Sequence, residues 1–111
     1  MSVLETNLVD YIYLEEGAAQ VPVLVVSDPL SWKPPEDRKH LWALREKLKT
    51  QIAFVETGQL NGVWPRYSGG VVRVEVYASC SLTETARDFY DHISRAMNES
   101  NMELRVRLLD A

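Results

Sequence analysis

The architecture follows from the stretch Val71-Val-Arg-Val-Glu-Val-Tyr-Ala-Ser-Cys-Ser-Leu-Thr-Glu84, in which a strand pattern gives way to a helix signal. Valines alternate with charged and aromatic residues, and such a period of two predicts a strand with one apolar and one polar face. Ser81 and Glu84 have the spacing of a capping box, in which each side chain bonds a backbone N–H near the helix start. The stretch therefore predicts a strand that is followed at once by a helix.

Downstream, apolar residues recur first at helical and then at strand spacing. The helical apolar face consists of Leu82, Ala86, Phe89, Tyr90, Ile93 and Met97. Alternation returns over residues 102–109, with Leu104, Val106 and Leu108 expected inward and Glu103, Arg105 and Arg107 outward. This pattern predicts a second helix that ends near residues 98–101 and a final strand.

Upstream, a proline-containing loop at residues 27–35 separates two strands from a helix. The strands are predicted over Val9–Leu14 and Val21–Val26, with a turn at Gly17 between them. Pro34 and Pro35 suit the first turn of a helix, and Gly58 suits its end. The apolar stripe of this helix consists of Leu41, Leu44, Leu48, Ile52 and Val55, and we expect Trp42, Ala43 and Phe54 to widen its buried face.

The order β-β-α-β-α-β predicts an α+β fold, a two-layer sandwich with a four-stranded mixed sheet and two helices on one face. Crossover helices normally give parallel neighbours, so we expect the loops 27–35 and 78–81 at one sheet edge, with both helix N-termini pointing there. The strand order stays open. The chain reads as a single domain over residues 1–111, in which residues 1–8 are the stretch that could be flexible.

Charge and cysteine content narrow the function classes. Twelve basic and sixteen acidic residues give a formal net charge of −4, which disfavours DNA binding. Cys80 is the only cysteine, so no intramolecular disulfide can form. The first ten residues do not have the basic stretch and apolar run expected of a secretory signal, and the longest apolar run, Val21–Val26, is too short to span a membrane. We expect a cytoplasmic protein without a membrane partner.

A set of spaced motifs covers most of the chain from residue 28 onward. The motifs are Asp28…Trp32, His40-Leu41…Leu44-Arg-Glu-Lys-Leu48, Ile52-Ala-Phe-Val-Glu-Thr-Gly58-Gln-Leu60, Trp64-Pro65, Val74-Glu-Val76 and Arg105-Val-Arg-Leu-Leu109. In these motifs the chain resembles a family of small bacterial proteins of unknown function, and the segment Glu46–Gly58 is the most specific part. Members usually carry Gln and Tyr in place of Arg45 and Gln51, and Tyr in place of Trp64. The resemblance implies a shared fold, but no activity and no site residues.

The sheet edge offers one candidate site, formed by Asp28, Trp32, His40 and Cys80. A thiol before a helix can become nucleophilic, but it needs a base, for which His40 is the candidate. The alternative is that Cys80 is a small residue that finishes a strand.

His40 and His92 do not have the paired spacing of metal ligands, so no metal and no cofactor are expected. Two helix N-termini at one edge could instead hold an anion. Trp32, Trp64 and Tyr67 lie in loops, where packing over the core is favoured over binding.

The outer sheet face offers a second candidate site. It consists of Arg73, Glu75, Tyr77, Glu103, Arg105 and Arg107, and Tyr11 and Tyr13 could share it. A solvated face with cross-strand ion pairs is one interpretation, and a protein interface or homodimer face is another. RNA binding is disfavoured, because carboxylates alternate with the arginines and the aromatic RNA-binding motif is missing.

Our leading hypothesis is a non-enzymatic protein-interaction or assembly module, either a homodimer or a partner of another bacterial protein, as immunity and adaptor proteins are. The alternative is a small enzyme, or a binder of an anion or metabolite, that uses the sheet edge.

Overall fold

The computed structural model describes residues 4–6, 9, 11–15, 21–65, 67 and 69–109. The strands are β1 (Tyr11–Glu15), β2 (Val21–Asp28), β3 (Val72–Ala78) and β4 (Met102–Leu108), and the helices are α1 (Asp37–Glu56), α2 (Gln59–Val63) and α3 (Glu84–Glu99). The turn predicted at Gly17 lies outside the described residues.

The four strands form one mixed sheet in the order β1-β2-β3-β4. β1 runs antiparallel to β2, whereas β2, β3 and β4 are mutually parallel. In the register, Leu24 pairs with Val74, and Val74 pairs with Leu104. The predicted α+β fold with a four-stranded mixed sheet is therefore confirmed, and the strand order that the sequence left open is sequential.

The core lies between one face of the sheet and the helices. Leu24, Val74 and Val76 of the sheet are fully buried in one cluster with Leu44 and Leu48 of α1. The buried residues of α3 join the same cluster and are Ala86, Tyr90 and Met97. This arrangement confirms the predicted inward face of β3 and the predicted stripes of both long helices.

Two apolar residues that were expected in the core are exposed. Trp42 of α1 is 56% exposed, because it lies beside the stripe and turns away from the sheet. Leu108 is 53% exposed, because β4 is an edge strand and Leu108 is its last residue. Both predictions of burial were wrong.

The end of α1 agrees with the sequence pattern, whereas the start of α3 and the helix α2 do not. Gly58 follows α1 with a φ of 82°, a left-handed conformation that ends the helix as predicted. The short helix α2 begins directly afterwards and was missed, since five residues are too few for a helical period. Thr83, and not Ser81, caps α3, because its hydroxyl accepts the backbone N–H of Ala86 at 3.3 Å.

The described part of the N-terminal segment contacts α1. The carbonyl of Glu5 accepts a hydrogen bond of 2.8 Å from Lys47 Nζ, and the hydroxyl of Thr50 donates to the carbonyl of Thr6. The contact with Glu5 gives the buried Lys47 side chain an acceptor. In the described part of the chain, no helix combines the length and the apolar character that crossing a bilayer requires.

Candidate functional site

The carboxyl ends of β2 and β3 lie side by side, as the connectivity predicted. Ser79 donates its backbone N–H to the carbonyl of Asp28 at 3.0 Å, and the thiol of Cys80 lies 3.9 Å from the carbonyl of Pro29. The loop after β2 and the loop after β3 therefore share one edge of the sheet.

A buried pair of side chains organises this edge. Asp28 and His40 are each 1% exposed, and Asp28 Oδ2 lies 2.7 Å from His40 Nε2. The other carboxylate oxygen accepts the backbone N–H of Leu30 at 3.2 Å, while His40 Nδ1 lies 3.0 Å from the carbonyl of Ser31. The pair thus ties the end of β2 to the first turns of α1 through the loop between them.

The proton positions on His40 follow from these partners. A carbonyl oxygen can only accept, so Nδ1 must carry a proton that it donates to Ser31. The contact with Asp28 also needs a proton, which belongs either to His40 as an imidazolium or to Asp28 as a carboxylic acid. In both states the two ring nitrogens are occupied. His40 has no free nitrogen with which to deprotonate Cys80, so the contacts do not assemble the Cys80–His40 pair that nucleophilic chemistry would need.

Trp32 contacts the His40 member of this pair. Its ring stacks on the His40 ring with a centroid separation of 3.6 Å and an interplanar angle of 25°. Trp32 is 3% exposed and belongs to the core cluster, which agrees with the predicted packing of the loop aromatics. Trp64 and Tyr67 are half-buried against the same cluster.

Two buried polar atoms near this edge are unsatisfied. Trp32 Nε1 and the Tyr90 hydroxyl have no hydrogen-bond partner among the described residues. Burial, with a further contribution from the negative charge of Asp28, raises the pKa of Tyr90. A buried donor or acceptor without a partner is rare in proteins and calls for an explanation by bound water or a ligand.

A surface cleft of about 470 Å³ opens at this edge, and we call it the edge cleft. It is lined by residues 31–33 and 79–83, so it lies between the loop after β2 and the start of α3. The edge cleft includes the predicted Trp32 and Cys80, whereas the predicted Asp28 and His40 lie behind it as a buried support. Lys33 and Thr83 were missed as lining residues, because nothing in the sequence pattern marked either of them as part of a site.

The six residues predicted for the outer face also come together, on the sheet face opposite α1 and α3, which we call the helix-free face. Glu75 is its centre: one carboxylate oxygen accepts the hydroxyls of Tyr13 at 2.7 Å and Tyr77 at 2.9 Å, and the other accepts Arg107 Nη2 at 3.1 Å. Tyr13 therefore belongs to this face, while the side chain of Tyr11 lies outside the described residues.

Glu103 forms a second centre on the helix-free face. Its carboxylate accepts Arg105 Nε at 2.6 Å and lies 3.5 Å from Arg73 Nε. Two residues of this face are buried rather than solvated, since Glu75 is 1% exposed and Arg73 is 7% exposed.

The environment of Glu75 shifts several pKa values. Burial opposes the charge of Glu75, but the hydrogen bonds from Tyr13, Tyr77 and Arg107 outweigh it and lower the pKa of Glu75 below its ordinary value. The hydrogen bond to Glu75, followed by burial, raises the pKa of Tyr13 to about 12. The same causes raise the pKa of Tyr77, and the hydrogen bond to Glu75 raises that of Arg107. The network is therefore most stable with Glu75 charged and both tyrosines protonated.

Comparison with known proteins gives a family but no role. Among the described residues, no three His, Cys, Asp or Glu side chains converge as a metal site. Neither curated proteins nor solved structures provide a match to the chain. The sequence matches a family model over residues 1–110, nearly its whole length. The chain therefore belongs to DUF6572, a family of unknown function.

Proposed function

We propose that this domain is a non-enzymatic binding module that holds a small ligand in the edge cleft. The observation that carries the proposal is Trp32 Nε1, a buried N–H donor without an acceptor among the described residues, on a side chain that lines the cleft. Leaving such a donor unsatisfied costs about 1–3 kcal/mol, which a ligand acceptor would recover.

The position of the cleft supports the same proposal. Binding residues lie disproportionately on loops that a rigid scaffold positions, and the edge cleft lies between two loops at the carboxyl ends of β2 and β3. Its volume of about 470 Å³ is within the usual range for small-molecule sites, roughly 300–1,000 Å³. Trp32 is fixed by stacking on His40, so the cleft has a rigid wall before any ligand arrives.

Binding is favoured over catalysis because the one candidate base is engaged. Both nitrogens of His40 have partners, and the ring is buried. Cys80 has a backbone carbonyl as its contact, and a carbonyl cannot take a proton from a thiol.

The test is a screen of small metabolites by thermal denaturation, followed by calorimetric titration of each hit. Trp32→Phe removes the indole N–H while keeping an aromatic ring, and Trp42→Phe makes the same change on the exposed face of α1. We expect a hit that binds wild type and Trp42→Phe equally, with at least tenfold weaker binding to Trp32→Phe. The absence of any hit, or equal binding to all three proteins, would overturn the proposal.

A second candidate function is self-association through the helix-free face, and the network around Glu75 favours it. The network fixes Tyr13, Tyr77 and Arg107 in one arrangement, and rigid Tyr and Arg side chains are the residues most enriched in interface hot spots. The face carries both signs of charge, so a two-fold axis could set guanidinium groups of one copy against carboxylates of the other.

Sedimentation equilibrium tests this candidate directly. If the helix-free face forms a dimer, Arg105→Glu should weaken it at least tenfold, because it reverses an exposed charge of this face and places a carboxylate beside that of Glu103. Adding Tyr77→Ala should abolish it, whereas Cys80→Ala, in the edge cleft, should leave association unchanged. A protein that is monomeric at all concentrations excludes the homodimer. Co-purification from the cytosol of native cells, at low and high salt, would then reveal a different protein partner, such as one for an adaptor or immunity role.

A further inference from the structure

We infer that the group recognised in the edge cleft is an oxyanion of the phosphate type, bound by the indole N–H of Trp32, the ammonium of Lys33 and the N-terminal backbone of α3. This inference rests on the proposed function and names the chemical class of its ligand.

The residues that line the cleft offer donors and one cation. The side chains at 31–33 and 79–83 include Lys33, the indole of Trp32 and several hydroxyls, and no carboxylate is among them. The nearest buried carboxylate, Asp28, has one oxygen bonded to Leu30 and the other to His40. Among the lining residues, an anionic ligand would therefore meet donors and no carboxylate, and the first carboxylate along α3 is that of Glu84.

The start of α3 adds backbone donors at the same place. The first N–H groups of a helix have no acceptor within it, and the aligned peptide dipoles make this end positive. Thr83 lines the cleft and satisfies one of these groups, because its hydroxyl accepts the N–H of Ala86, while its carbonyl accepts the N–H of Arg87 in the first hydrogen bond of the helix itself. The N–H groups of Glu84 and Thr85 precede these and suit an external anion.

Trp32 supplies the independent observation that the helix start alone would lack. An indole N–H can only donate, so the missing partner of Nε1 must be an acceptor. A phosphate group presents several acceptor oxygens at once and could meet Trp32, Lys33 and the start of α3 together. A neutral ligand could satisfy the indole alone, but it would leave the cation and the helix start unused.

The experiment titrates wild type with inorganic phosphate and with phenyl phosphate, using chloride at equal ionic strength and phenol as matched controls. Binding is read from the thermal denaturation midpoint and from tryptophan fluorescence. We expect both phosphates to bind and both controls to fail. Tighter binding of phenyl phosphate than of inorganic phosphate would identify a phosphate monoester as the natural class, and the reverse order would identify the free anion.

Variants locate the binding. Lys33→Ala and Trp32→Phe should each raise the phosphate dissociation constant at least tenfold, while Lys39→Ala, on an exposed lysine of α1, should leave it unchanged. Phosphate that stabilises wild type no more than chloride does, or that binds both cleft variants as well as wild type, overturns the inference. A neutral hit from the metabolite screen that depends on Trp32 would then leave the proposed function standing with another ligand class.

Discussion

The carboxylate of Asp28 and the imidazole of His40 meet at 2.7 Å in a place where each residue is 1% exposed. This contact joins the last residue of β2 to the first turns of α1, and it sets the loop that carries Trp32. The pair lies behind the edge cleft and supports it. We therefore expect that removing the pair lowers the free energy of unfolding.

His40→Ala should lower the free energy of unfolding by about 3–5 kcal/mol, because it leaves the buried Asp28 without its partner. It also removes the ring on which Trp32 stacks. Urea denaturation measures the change, and His92→Ala, on the exposed face of α3, is the matched control with little expected effect. Asp28→Asn keeps the shape of the side chain and serves if His40→Ala fails to fold. A loss below 1 kcal/mol in both variants would contradict a structural role for the pair.

Acid should destabilise the protein through Glu75. The folded-state pKa of this group is lowered below its ordinary value of 4.5, so its contribution to stability is present above pH 4.5 and is lost as the pH falls through the folded-state pKa. Glu75→Gln should be less stable than wild type at pH 7, and the difference should shrink below pH 4.5. Urea denaturation across pH 7 to 2 checks this, with Glu99→Gln at the exposed end of α3 as control. A difference that stays constant with pH would refute the charged network.

Alkali should act on the same network through Tyr13. Its pKa is raised from 10.0 to about 12 in the folded state, so its contribution is complete below pH 10 and is lost as the pH rises toward 12. The stability difference between wild type and Tyr13→Phe should therefore be constant up to pH 10 and narrow between pH 10 and 12. Spectrophotometric titration at 295 nm and urea denaturation give the two readouts. In a Glu75→Gln background the narrowing should disappear, since the hydrogen bond to Glu75 is the main cause of the shift.

Much of the fold could be predicted because local periodicity and chain connectivity agree. The alternation in β3 predicted its two faces, and the two crossover helices predicted parallel strands whose ends meet at one edge. The order of the strands could not be predicted, because an apolar strand such as β2 fits more than one central position. Trp42 was misplaced because hydrophobicity alone does not show on which side of a stripe a helix meets the sheet.

The sequence predicted which residues of each candidate site lie close together, but not which of them contact one another. Connectivity alone indicated that Asp28, Trp32, His40 and Cys80 share an edge. The sequence could not show that His40 faces Asp28 rather than Cys80, because that depends on where the loop after β2 turns. In the same way, alternation grouped Glu75 with Tyr77 and Arg107, but it could not show that the hydrogen-bond partners of Glu75 come from three different strands.

The start of α3 allows the sequence-based and structural interpretations to be separated by experiment. The capping-box spacing indicated Ser81, whereas the observed cap is Thr83, whose hydroxyl accepts the N–H of Ala86. Thr83→Ala should lower the free energy of unfolding by about 1 kcal/mol, the usual cost of losing such a cap. Ser81→Ala should stay within about 0.5 kcal/mol of wild type, as exposed substitutions usually do. Urea denaturation of both variants decides which of the two residues caps α3. If Ser81→Ala cost more than Thr83→Ala, the helix would start at Ser81, and the backbone donors proposed for the edge cleft would lie nearer to Ser81.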